Sequence, residues 1–175
     1  MKIRSVALGV AVMAALGVSG TAAAGGGGRT TWKNVRVSFQ PTGIVDTQLG
    51  APVCDSGGQC VFSSTQTNAT QTGDLQGSTV QAQVVGAGTT SPVLPVESIG
   101  TFTGTVTGCG TGAFLYRGHG TYNFDTGVGD TVFVIEPGSA SGDLAGITGV
   151  LTQHSTATDT GAPPISGVVR CAVHR

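Results

Sequence analysis

An all-β chain, folded as a single eight-stranded antiparallel barrel, is what this sequence predicts, and three observations carry the prediction. Only 10% of the residues are charged, against roughly 25% in an average globular chain, and glycine, threonine, serine and valine are abundant. No stretch repeats apolar residues at helical spacing, while β-branched Val and Thr dominate. About eight β-runs follow one another with mostly short links, the number at which a sheet closes into a small barrel and loses its edges. A two-sheet β-sandwich would use the same strands and is the alternative architecture.

The first residues set the compartment. Lys2 and Arg4 give a short positive region, Val6 to Val18 an apolar run too short to span a bilayer, and Ala22-Ala23-Ala24 a small-residue cleavage site. Together they read as a secretory signal peptide over residues 1–24, which places the mature protein outside the cell. Residues 25–31 form a glycine-rich lead, and 32–175 the barrel domain. Cleavage removes two of the eight basic side chains and none of the nine acidic ones. The mature chain is therefore net acidic with no basic patch, which excludes nucleic acid and anionic membrane as expected partners.

Each strand has its own justification. Trp32 to Gln40 alternates Val35, Val37 and Phe39 against Asn34, Arg36 and Ser38, and Pro41-Thr42-Gly43 ends it. Val61 to Gln71 is polar and Thr-rich, with Gly73-Asp74 and Gly77 marking the turn after it. Ser78 to Val85 alternates Val80, Ala82 and Val84 against Thr79, Gln81 and Gln83. Gly86 to Pro95 holds two prolines and reads as a loop.

Val96 to Thr107 sets Thr101, Thr103 and Thr105 against Phe102 and Val106, and Gly108-Cys109-Gly110 turns the chain. Thr111 to Asp125 carries Phe114, Tyr116 and Tyr122, Gly127 to Asp130 turns again, and Thr131 to Glu136 is nearly all apolar. Between Glu136 and Leu151 the chain stops at Pro137, turns through five small residues, and forms a short helical turn at Asp143-Leu144-Ala145-Gly146 capped by the aspartate. Ile147 to Thr156 and Ile165 to His174 complete the set.

Four cysteines, Cys54, Cys60, Cys109 and Cys171, lie in the mature chain. An even number in an exported protein favours disulfides, and three pairings are possible. Cys54 with Cys60 is favoured because CDSGGQC carries Gly57-Gly58 midway and can close a tight loop. That leaves Cys109 to join Cys171 near the C-terminus. No CxxC spacing is present and the three histidines stand alone, so no metal and no cofactor is expected.

The stretch GSASGDLAGITGVL, preceded by VFVIEP and GTGAFLYRGHGTY, resembles the allene oxide cyclase-like barrels, in particular a secreted bacterial branch of that superfamily; plant dirigent proteins share a related glycine-rich strand pattern. The likeness is carried by residues 96–174. It implies an eight-stranded barrel with one closed end and one open mouth, and an apolar interior that holds, orients or cyclises hydrophobic intermediates. In the plant cyclases the chemistry looks to an acidic residue on the first strand. This chain has no carboxylate between Trp32 and Gln40.

The candidate catalytic groups are few. Glu136, one of two glutamates, sits at a strand end where a carboxylate could face a mouth and act as acid or base; a solvated rim residue is the plainer reading. In LYRGHGTY, alternation sends Leu115, Arg117 and His119 to one face and Phe114 and Tyr116 to the other, and the second set makes the more natural core. His119 and Tyr116 complete the candidates for polar chemistry. No serine stands in a GxSxG elbow, which argues against a hydrolase triad.

These residues point to a secreted barrel holding a hydrophobic or amphipathic small molecule, with Phe102, Phe114, Tyr116, Phe133 and Trp32 as the expected lining. An isomerase or cyclase acting on such a molecule is the second reading. A packed barrel with a structural or surface role is the third.

Overall fold

The computed structural model describes residues 30–48, 53–54, 60–85, 92–123 and 125–173, with side chains at all of these except 46, 48, 53–54, 60–67, 84–85 and 173. The expected signal peptide and most of the glycine-rich lead lie outside the described residues. So does most of the CDSGGQC loop.

The described chain is all β. In order the strands are β1 (Thr31–Gln48), β2 (Val53–Cys54), β3 (Cys60–Gly73), β4 (Leu75–Val85), β5 (Val93–Val106), β6 (Gly110–Asn123), β7 (Gly129–Ile135), β8 (Ser141–Gly142), β9 (Thr148–Ser155) and β10 (Ile165–Val173). Eight of them form a closed antiparallel barrel in the order β1-β10-β9-β7-β6-β5-β4-β3, and the β1–β3 pairing shuts the ring. The two-residue strands β2 and β8 hang on β3 and β6. Closure makes this a barrel rather than the alternative sandwich.

β1 is the strand that closes the ring, and it corrects one expectation. The strand does not end at Pro41-Thr42-Gly43. Phe39 pairs with Ile165 of β10 on one side and Gly73 of β3 on the other, and beyond it the strand continues against β3 to Gln48. The register shifts between Thr42 and Val45, where Gly43 takes a positive φ of 58°. A bulge there bends the strand instead of stopping it, which is how one chain segment serves both edges of the seam.

Two smaller corrections have similar causes. The β3–β4 turn is made by Asp74, with Gly77 already inside β4; the Asp74 carboxylate accepts the Ser38 amide at 2.8 Å, tying the hairpin tip to β1. Pro95 lies in a strand, because β5 starts at Val93 and runs past the end of its pairing with β4 at Val85↔Val96. On that side Pro95 has no ladder to break.

One end of the barrel is closed from within. Asp143-Leu144-Ala145-Gly146 forms successive turns rather than a helical turn, with Ala145 N–H donating to the Gly142 carbonyl at 3.1 Å and Ile147 N–H to that of Leu144 at 2.9 Å. The Asp143 carboxylate accepts the Thr111 amide at 3.2 Å, so it anchors the loop to β6 instead of capping a helix. Leu144 and Ile147 are fully buried under this loop.

The disulfide between Cys109, in the β5–β6 turn, and Cys171 on β10 crosses the same end, with 5.7 Å between α-carbons. It fits the expected pairing and is weakly consistent with an extracellular protein. Cys54 and Cys60 are direct partners where β2 meets β3. Their sulfur atoms lie outside the described residues.

Candidate functional site

Above the closed end the interior opens into a cavity of about 260 Å³. Its floor and one wall are apolar, formed by Phe39, Leu75, Phe102, Phe114, Leu151 and Ile165. These follow from strand alternation: each is an inward-facing residue of its strand, as the parity of the buried positions shows. Phe102 and Phe114, directly opposed on β5 and β6, stack at 5.0 Å between ring centroids.

The other wall is polar and uncharged. Gln71 from β3, Thr79 and Gln81 from β4 and Tyr116 from β6 turn inward. Direct cross-strand partners share a face, so Thr79 opposite Phe102 must point inside as the phenylalanine does. The amide of Gln71 donates to the Thr79 hydroxyl at 2.9 Å, and that hydroxyl donates to the Ala69 carbonyl at 3.4 Å. The Tyr116 hydroxyl donates to Gln81 at 2.9 Å, and Gln81 in turn donates to Gln83 at 3.0 Å. Burial pushes the Tyr116 phenol far above its ordinary range, with the Thr79 hydroxyl working weakly in the opposite direction, so the phenol stays neutral.

Toward the mouth a second chamber of about 430 Å³ continues the first, sharing Gln81, Gln83, Phe133, Gln153 and Ala162 with it. Ser98, Thr131 and Ser155 add hydroxyls to its wall. Among the described residues, two buried side-chain polar atoms of this interior have no partner: Oε1 of Gln71 and the Ser98 hydroxyl. No Asp, Glu, Lys, Arg or His among the described residues lines either chamber.

Of the residues expected to line the interior, Phe102, Phe114, Tyr116 and Phe133 do so. Trp32 does not, and its interior placement is corrected. It is 45% exposed on the outer face of β1, with the Arg170 guanidinium 5.3 Å over its ring. The alternation that turns Val35, Val37 and Phe39 inward turns Trp32 out. Among the polar candidates only Tyr116 reaches the cavity. His119 is exposed on the outer face of β6, as alternation predicts, and Glu136 forms an ion pair with Arg117 at 2.5 Å outside the barrel.

The polar wall was not singled out from the sequence. Gln71, Thr79 and Gln81 sit in strands whose pattern is inverted: Val80 is 49% exposed while the glutamine on its far side faces in. The usable signal is parity, since pairing to β5 fixes which face of β4 shares the interior with Phe102.

No family model matches the chain, and no curated protein matches it either. Among solved structures, it is similar to a protein of unknown function from the DUF3224 family of Shewanella oneidensis MR-1, 18% identical over 83% of this chain and all of that one, with a TM-score of 0.60. At that identity the likeness is one of fold: both are small β-barrels.

Proposed function

We propose that this protein is an exported barrel that binds an amphipathic small molecule in its interior and does not turn it over. The observation that carries the reading is the composition of the cavity: an aromatic floor facing a wall of uncharged hydrogen-bonding side chains. Ligand sites pair apolar surface with a few placed polar groups in this way, and the volume is of the order such sites have. A cavity with that lining also weighs against the packed, structural barrel.

Membership of the allene oxide cyclase-like superfamily is part of this proposal, resting on the likeness over residues 96–174, carried by GTGAFLYRGHGTY, VFVIEP and GSASGDLAGITGVL. The isomerase or cyclase reading is weaker. Of its three candidates only Tyr116 borders the cavity, and a phenol held neutral by burial orients a guest rather than moving a proton at neutral pH.

Native mass spectrometry of the protein purified from its own host's culture medium tests the proposal. A small molecule released on denaturation is the expected result. A protein that arrives empty and takes up no hydrophobic fluorescent probe would return the weight to a packed barrel.

A further inference from the structure

The hydrogen bonds at Gln71 leave a defined demand. The Ala69 carbonyl can only accept, so the single proton of the Thr79 hydroxyl points to it. The Thr79 oxygen must then accept, and the side of the Gln71 amide facing it is the NH₂. That fixes the opposite side as the carbonyl. Oε1 of Gln71 is thus an acceptor with no partner among the described residues, on a residue only 4% exposed that lines the inner cavity. A buried acceptor left unmatched is costly, which is a reason for a guest to supply a donor there.

The rest of the lining sets the charge. Among the described residues no ionisable cation borders the cavity, so a carboxylate entering it would lose its hydration without a counterion and would meet the Gln71 lone pairs. The Tyr116 proton is already committed to Gln81. An ammonium would find a neutral phenol and, among the described residues, no carboxylate.

Resting on the binding reading above, we infer that the guest is an uncharged molecule whose inner end carries a hydroxyl or amide N–H donating to Gln71, with an aromatic or alicyclic body against Phe102 and Phe114. Specificity lies in that donor. Fatty acids and other anions are rejected.

The test compares 2-naphthol, 2-methoxynaphthalene and 2-naphthoate at pH 7 on the intact, oxidised protein, by titration calorimetry. These share one ring system and differ as donor, capped donor and anion. The expected result is 2-naphthol bound about tenfold or more tighter than either of the others, the effect of one buried hydrogen bond made or lost. In Gln71→Met the gap between 2-naphthol and its methyl ether closes. Should that variant not fold, Thr79→Val frees the Gln71 amide to turn and shrinks the same gap.

Equal binding of naphthol and ether, as a water held at Gln71 would produce, overturns the donor requirement and leaves interior binding standing. Tightest binding of 2-naphthoate overturns it likewise. A gap that persists in the Gln71 or Thr79 variant removes Gln71 as its source. Failure of all three probes to bind overturns this inference together with the reading it rests on.

Discussion

The phenol of Tyr116 on β6 lies over the α-carbon of Gly100, the residue directly opposite it on β5, and reaches past it to Gln81 on β4. A β-carbon at Gly100 would stand 2.4 Å from both Cζ and the hydroxyl oxygen of Tyr116. The glycine is therefore what lets the ring lie flat on the sheet and the hydroxyl join the glutamine row. Gly100→Ala should displace the ring and cost about 1–3 kcal/mol, as overpacking does. Tyr116→Phe should cost about 0.5–1.5 kcal/mol, the net value of one hydrogen bond. Urea unfolding of both variants checks the order; a Gly100→Ala protein as stable as the parent would mean the ring does not lie there.

The same burial makes stability depend on alkaline pH. The folded-state pKa of Tyr116 is raised by desolvation, so the native state holds a proton that the unfolded chain releases at about pH 10. The contribution is fully present below pH 10 and is lost as pH rises beyond it. Stability of the parent should fall more steeply above pH 10 than that of Tyr116→Phe. Parallel slopes for the two proteins between pH 10 and 11.5 would contradict the buried phenol.

How much of this was legible in the sequence follows from where the apolar residues sit. The inward faces of β5 and β6 are legible in the parity of Phe102 and Val106 and of Phe114 and Tyr116, all of which turn inward, whereas the start of β5 at Val93 is hidden by Pro95. β1 was read short: a proline and a glycine signal a stop, and the same residues make a bulge when a second partner strand continues the ladder. The cavity wall was hidden for a more basic reason. Hydropathy assigns the inner face of a strand on the premise that interiors are apolar, and a barrel with a polar chamber reverses that premise on β4, leaving Val80 outside while Thr79 and Gln81 face in. The expectation that Trp32 lines the interior runs against the alternation of its own strand, which turns it out.

Glu136 offers a sharp test between binding and turnover. Its carboxylate pairs with the Arg117 guanidinium on the outer surface, where such pairs contribute roughly 0–1 kcal/mol. Glu136→Gln should leave probe affinity unchanged and shift the unfolding free energy by less than about 1 kcal/mol. Loss of ligand binding in that variant, measured by calorimetry, would bring the strand end into the site.

The loop between β7 and β9 should behave as a plug. Leu144 and Ile147 are fully buried beneath the barrel, and the loop is held by the Thr111–Asp143 hydrogen bonds to β6. Leu144→Ala should cost about 2–5 kcal/mol through lost transfer energy and the cavity left behind, and Ile147→Val about 0.5–1.5. Asp143→Asn keeps an acceptor for Thr111 and should cost less than Asp143→Ala. Unfolding curves that ranked the two aspartate variants equally would show that the Asp143 carboxylate does not help to hold the loop.

The disulfide acts on the same end by a different route. Cys109 and Cys171 are 62 residues apart in sequence, and a cross-link closing a loop of that length removes entropy from the unfolded chain corresponding to roughly 4 kcal/mol. β5 and β10 are not neighbours in the barrel, so the bond ties opposite sides of the closed end together without belonging to any ladder. Cys109→Ser/Cys171→Ser should therefore lower the unfolding free energy by about 2–4 kcal/mol while leaving the relative affinities of the three naphthalene probes in place, since neither cysteine lines the cavity. Equilibrium unfolding and probe titration on the same sample decide it: lost affinity with an intact circular dichroism spectrum would mean that the closed end shapes the cavity above it.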